Sequence, residues 1–182
     1  MDTLACEPEA RESQKPSVID FESLFLSHYP GVARAVARVV RDHARAEELA
    51  VEIFLKIWRN PSLQREVTEA WLYRAALRSG LDELRQRSRR THYERLLGFV
   101  RRNRNPDPEE IHSANEEQER VRRVLASMAP RQAELLLLRN HGLSYEELAA
   151  AQHRNAASIG TLLSRAQEAF RGRYIKLYGN NE

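Results

Sequence analysis

The chain of 182 residues has a single cysteine, Cys6, so it forms no internal disulfide and no cysteine-based zinc site. Seven glycines and seven prolines are few for a sandwich of many short strands joined by tight turns. The chain is too short for a barrel enzyme of usual size. It has no apolar run of about 18 residues, so no membrane insertion is expected. The first residues, MDTLACEPEARESQKPS, lack the basic start and apolar centre of a signal peptide. Enzyme signatures are missing as well. The six histidines (His28, His43, His92, His112, His141, His153) show no HExxH spacing, and there is no glycine-rich phosphate loop or GxSxG. Each histidine reads as a surface or turn residue. No catalytic residue, metal site or cofactor is expected, and a cytoplasmic location is expected.

What is present is a helical period and a blocked charge pattern. The net charge is only +3. Residues 1–24 hold six acids against Arg11 and Lys15. Residues 82–104 hold eight arginines (Arg85, Arg87, Arg89, Arg90, Arg95, Arg101, Arg102, Arg104) against Asp82, Glu83 and Glu94. Residues 105–119 hold Asp107, Glu109, Glu110, Glu116, Glu117 and Glu119 with no basic side chain, and residues 120–182 are basic again. Two basic bodies flanking an acidic strip suit a polyanion partner for each, or a merely solvated surface. Lysine is scarce (Lys15, Lys56, Lys176), and the arginine that replaces it suits phosphate and base edges.

The spacing predicts an all-α protein of two helical domains. Residues 1–19 read as a disordered leader, 20–90 as the first domain, 91–116 as a flexible linker with Pro106 and Pro108, and 117–178 as the second. In the first domain Pro30 is expected to interrupt or kink the opening helix. Leu49, Ile53 and Ile57, with Phe54 and Trp58, give an apolar stripe that Asn60-Pro61 ends. Thr68 is placed to cap a helix with Trp71, Ala75, Leu81 and Leu84 on its buried side. In the second domain a helix over 131–140 leaves through Gly142, and Ser144 with Glu147 forms a capping box. A turn over 152–155 then leads to a last helix from Ala156 to Leu177. This is helix-turn-helix order, although an ordinary helical hairpin has the same period.

Three stretches carry chemistry. On the last helix Arg154, Asn155, Ser158 and Thr161 are placed to read base edges, and Ser158, Ser164 and Arg165 to hold phosphates, with Ile159, Leu162, Leu163, Ala166 and Phe170 packed behind. Residues 70–90 interleave Arg74, Arg78, Arg85 and Arg89 with Trp71 and Tyr73, which suits unstacked bases, or else Trp71 is core. Glu47, Glu48 and Glu52 flank the apolar stripe and form either a docking face for a basic helix or a solvated face.

Residues 45–60 (RAEELAVEIFLKIWRN) resemble the Asp-Ala-Glu-Asp-Leu-x-Gln-Glu-x-Phe-x-x-x-Trp block of the extracytoplasmic-function (ECF) group of sigma-70 family RNA polymerase sigma factors. Residues 70–90 are similar to its Trp-Leu-x-x-Ile-Ala-Arg-Asn-x-x-x-Asp-x-x-Arg block, and residues 143–166 to its helix-turn-helix. The order and spacing of three blocks make the resemblance specific. It implies that the first domain binds the clamp helices of the polymerase's largest subunit through Glu47, Glu48, Leu49, Glu52, Ile53 and Phe54. It implies that Arg74, Arg78, Asp82, Arg85 and Arg89 capture the melted −10 element. It implies that Arg154, Asn155, Ser158, Thr161, Ser164 and Arg165 read the −35 duplex while the second domain packs on the flap of the second-largest subunit. A sequestering anti-sigma factor is a further implied partner, and the acidic strip is placed to mimic nucleic acid in the RNA exit path.

The chain departs from the family pattern in four places. Arg78 stands where Asn is usual, and His153 where the turn glycine is usual. Asn155 therefore reads as the better residue for a left-handed turn conformation. Gly160 stands where the reading helix commonly has Lys or Arg. The turn as a whole is Gln-His-Arg-Asn in place of Leu-Gly-Ile-Ser. Two other functions fit the residues: a stand-alone helix-turn-helix regulator, and a sigma-like decoy that binds polymerase or an anti-sigma factor without reading a promoter.

Overall fold

A computed structural model describes residues 20–64, 67–96 and 109–179, and all eight elements in it are helices. Helix α1 (Phe21–Val40) starts where the Asp20 carboxylate accepts from the Glu22 N–H. It runs through Pro30 without interruption, contrary to the sequence expectation. Proline removes the bond to the Leu26 carbonyl, but Leu26 and Pro30 are both exposed, so the freed carbonyl lies on the solvent side of the helix. Arg41 turns the chain with φ 56°, and Asp42 caps α2 (His43–Trp58) by accepting from Arg45 N–H at 3.1 Å.

Asn60-Pro61 ends α2 but also starts a short helix, α3 (Pro61–Gln64), that the sequence reading missed. Asn60 Oδ1 accepts from Ser62 N–H, and proline suits a first helical position because that N–H has no partner anyway. Thr68 Oγ1 accepts from Trp71 N–H at 3.2 Å and opens α4 (Glu69–Leu96). Helix α4 continues past residue 90, and α5 (Glu109–Ser127) begins before 117. Both ends of the expected linker are therefore helical. The leader (1–19) and the middle of that linker (97–108) lie outside the described residues.

The second half follows its caps. Pro130 starts α6 (Pro130–His141), and Gly142 ends it at φ 109°, a conformation open to glycine because it has no Cβ. Ser144 and Glu147 make both arms of a capping box at the start of α7 (Tyr145–Gln152). Helix α8 (Ala156–Tyr178) follows a three-residue turn.

Helix α4 positions everything else. It packs against α1 and α2 on one side and against α5, α6 and α7 on the other. Its buried positions, Leu72, Ala76, Leu77 and Leu81, form a wider band than the expected stripe, because two bodies cover it. Trp71, Ala75 and Leu84 are only half-buried. Gly80 allows the close approach of α1: a Cβ there would lie 3.0 Å from Val39 Cβ. The apolar interior is continuous across both halves. Val32, Val36, Leu49, Phe54, Ile57, Leu72 and Leu77 join Leu135, Leu138, Leu148, Ile159 and Leu163 in one cluster. Leu81 of α4 lies in a second cluster with Val124, Leu125 and Met128.

Candidate nucleic-acid interface

The helix-turn-helix is formed by α7, its turn and α8. His153 takes the left-handed conformation (φ 50°, ψ 52°), and the expectation that Asn155 would do so is corrected. Asn155 is extended and caps α8, with its side chain accepting from Ala157 N–H at 3.0 Å. A cap residue needs extended backbone to aim its side chain back at the helix, which places the left-handed step earlier in the turn. The cap also occupies Ser158, whose hydroxyl donates to the Asn155 carbonyl at 2.7 Å. Ile159, Leu163 and Ala166 are buried, with Leu162 and Phe170 half-buried beside them. The opposite side exposes Arg154, Asn155, Thr161, Ser164 and Arg165, with Ser158 half-exposed. That row has the 3-to-4-residue spacing of one helix face, and its only charges are positive.

The basic stretch lies on α4, where the structure divides the expected residues. Arg78, Asp82 and Arg89 are exposed. Arg74 and Arg85 are not free. Arg74 Nε donates to Glu134 Oε1 of α6 at 2.6 Å, and Arg85 donates to Asp82 at 3.2 Å and to the Met128 carbonyl at 3.5 Å. Trp71 and Tyr73 are half-buried. The Tyr73 ring sits 4.1 Å from that of His141, so His141 is half-buried against α4 at the end of α6. Burial, with some help from Arg38 and against Glu69, lowers the His141 pKa below its ordinary value. Between α2 and α4 an open groove is lined by Leu49, Ile53, Trp71, Arg74, Arg78 and Asp82, among others.

On α2 the acidic residues are exposed and organised. His43 faces Glu47 at 3.2 Å. Arg45 donates to Glu48 at 2.7 Å, lies 3.6 Å from Glu52, and donates to Glu83 of α4 at 3.1 Å. Burial pushes the Glu83 carboxyl up, but the hydrogen bonds from Arg87 and Arg45 outweigh it and leave its pKa lowered. The apolar residues named beside these acids lie deeper than the acids do. Leu49 is 5% exposed, Ile53 8% and Phe54 1%, so in the free chain they belong to the core, with Leu49 and Ile53 also at the floor of the groove. The stripe that marks a helix as amphipathic is the one it hides. The exposed apolar side chains of α2 are Val51, Leu55 and Trp58, which recur at the same spacing on the other side.

Comparison with known proteins identifies the family. The family described as Sigma-70 region 2 matches residues 24–90, and Sigma-70, region 4 matches residues 118–169. The ECF RNA polymerase sigma factor SigK of Mycobacterium tuberculosis (strain H37Rv) is 31% identical over 145 residues, covering 75% of this chain and 74% of the relative. The chain belongs to the ECF sigma factors of RNA polymerase. SigK of Mycobacterium ulcerans is 31% identical over 143 residues, with the same coverage of both chains. The solved structure of the sigma factor RpoE in complex with the anti-sigma factor NepR from Bartonella quintana is 22% identical, with TM-score 0.48, covering 90% of this chain and 99% of that one.

In this ECF sigma factor the sequence reading missed two residues, Glu134 and Gln152. Glu134 is 4% exposed and accepts from both Arg74 and Gln152, the latter at 3.0 Å. Its sequence signal is its place in QAELLLL, four residues before the buried Leu138. A charge at a core position needs a partner, but the partner lies 60 residues away. Among the described residues no three His, Cys, Asp or Glu side chains are grouped to hold a metal ion, and no helix is long and apolar enough to cross a membrane.

Proposed function

We propose that this ECF sigma factor directs promoter-specific initiation through three surfaces and performs no catalysis itself. The α2 surface of Glu47, Glu48, Val51, Glu52 and Leu55 binds the clamp helices of core polymerase in the cytoplasm. Helix α4 captures the melted −10 strand with Arg78 and Arg89, joined by Arg74 and Arg85 once they are released, with Asp82 beside them. Helix α8 reads the −35 duplex with Arg154, Thr161 and Arg165, while Asn155, Ser158 and Ser164 contact the backbone. A sequestering anti-sigma factor would cover either the α2 face or the α8 face.

The observation that carries this reading is the two-sidedness of α8. In its N-terminal half the apolar side is buried, and Arg154, Asn155, Ser158, Thr161, Ser164 and Arg165 form a polar and basic row on the other side after a tight turn, with Glu168 following them. Neither DNA surface needs high affinity alone, because tethering raises the effective concentration of the second contact.

Footprinting tests this on a promoter that the chain selects. With core polymerase, two protected segments about two helical turns apart are expected. Arg154→Ala with Arg165→Ala should remove the upstream segment and spare core binding. Protection by the free chain alone would indicate a stand-alone regulator. Core binding without any protection would indicate a decoy.

A further inference from the structure

Arg122 of α5 is a buried cation whose carboxylate neighbour is exposed. Its Nε donates to the Val39 carbonyl at 3.0 Å, which answers one of the free carbonyls at the end of α1. The rest of its guanidinium has only long contacts, to Gln118 at 3.4 Å and to Glu119 at 3.6 Å, and both of those side chains are exposed. Burial, and after it the neighbouring Arg41, lower the Arg122 pKa below its ordinary value. A guanidinium withdrawn from water beside a like charge gains most from a well-placed anion.

Arg122 lines a groove of about 350 Å³ between the end of α1, α4 and α5. Val40 and Leu84 are apolar parts of its wall, and Arg41, Arg87 and Arg123 bring three more guanidinium groups. Arg87 is already held by Glu83 at 2.9 Å and by Asp42 at 3.1 Å. Arg41 pairs with the neutral amide of Asn115. Among the described lining residues Glu119 is the only carboxylate, and it lies near both Arg122 and Arg123. Three guanidinium groups, those of Arg41, Arg122 and Arg123, against one carboxylate leave two positive charges in excess. Leu84 and Arg87 sit on a different side of α4 from Arg78, Asp82, Arg85 and Arg89, so the groove does not extend the proposed −10 surface.

We propose that this groove is a binding site for a compact oligophosphate, an anion of two or more linked phosphates. A singly charged anion does not neutralise the excess, whereas linked phosphates do, and arginine forks pair with phosphate oxygens two at a time. The exposed Ser88 hydroxyl is a further donor at the same groove. Among the described lining residues none is Phe, Tyr or Trp, so the phosphates rather than a stacked base carry recognition. The site is separate from the surfaces assigned to polymerase and promoter, and it does not depend on that assignment.

The test is calorimetric titration of the full chain with inorganic pyrophosphate at low ionic strength, where screening is weak. One equivalent should bind with Kd below about 100 µM. Arg41 and Arg123 are exposed, so Arg41→Gln with Arg123→Gln should leave the fold intact, which circular dichroism checks. The same double variant should weaken binding at least about tenfold, because each change removes charge-assisted hydrogen bonds. Arg154→Ala with Arg165→Ala removes charge from the proposed −35 face and should leave Kd within about twofold. Wild-type chain should also melt at a higher temperature in saturating pyrophosphate, and the Arg41/Arg123 variant should not.

Adenosine and guanosine diphosphates distinguish the source of the phosphates. Tighter binding than pyrophosphate assigns the site to a nucleotide, and equal or weaker binding assigns it to the inorganic anion. No saturable binding of any of the three would overturn the proposal. So would binding that Arg41→Gln/Arg123→Gln leaves unchanged, or that Arg154→Ala/Arg165→Ala abolishes, since the anion would then sit on another basic surface.

Discussion

Arg74 Nε lies 2.6 Å from Oε1 of Glu134, and the same oxygen accepts from Gln152 Nε2 at 3.0 Å. A charged pair with one partner this deeply buried is costly to break from one side. Glu134→Ala leaves Arg74 and Gln152 without their acceptor. Because Arg74 retains some contact with solvent, the expected loss is about 2 kcal/mol, at the lower end for interior ion pairs. In thermal unfolding the midpoint should fall by about 5 °C. A midpoint within about 1 °C of wild type would mean that water already satisfies Arg74.

Helix α2 separates two kinds of apolar residue, and their substitution should separate two phenotypes. Phe54→Ala removes a fully buried ring and should cost about 3–4 kcal/mol of stability. Val51→Glu with Leu55→Glu changes exposed positions, so unfolding should shift by less than about 1 kcal/mol while core polymerase capture weakens at least about tenfold. Normal capture by the double variant would remove this face from the polymerase interface.

The turn of the helix-turn-helix holds a histidine where the family usually has glycine. His153 at φ 50° carries the ordinary left-handed strain of a residue with a Cβ. His153→Gly should therefore stabilise the domain by about 0.5–1 kcal/mol, after glycine's greater freedom in the unfolded chain is subtracted. Urea unfolding measures it. Destabilisation would show that the imidazole makes a contact worth more than the strain.

The Tyr73–His141 contact carries a pH dependence. Burial holds the His141 pKa below its ordinary value of 6.5, so the folded chain resists a proton that the unfolded chain accepts. Stability is therefore full above pH 6.5 and declines as pH falls from there towards the lowered folded value. Comparing urea midpoints at pH 7.5 and 5.5, His141→Asn should flatten the decline. An identical decline in wild type and variant would assign it to other groups.

Much of the fold was legible because its signals are local. Ser144 with Glu147 and Thr68 each mark a helix start by accepting from an N–H a few residues on, Gly142 marks an end by donating back to the last turn, and all three act as the sequence implies. The helix-turn-helix face was legible for the same reason: α8 has one buried side, and its period shows which. The proposed core-binding face was only partly legible, because periodicity marks the apolar side without saying whether it faces a partner or the protein's own interior. Leu49, Ile53 and Phe54 turned out to face the interior. The pairing of Arg74 with Glu134 was not legible at all. It depends on how two domains meet, and no local pattern around either residue encodes the other. Pro30 shows the converse limit, since a residue that breaks helices by local rules is tolerated on the solvent side of α1.

The most direct measurement is multi-round transcription from fragmented bacterial genomic DNA by core polymerase, with and without this chain, with sequencing of transcript 5′ ends. The expected result is a set of new discrete start sites that share two upstream elements about two helical turns apart. Those starts should disappear with Val51→Glu/Leu55→Glu and with Arg154→Ala/Arg165→Ala. An unchanged set of starts, despite stable binding of the chain to core, would contradict the account.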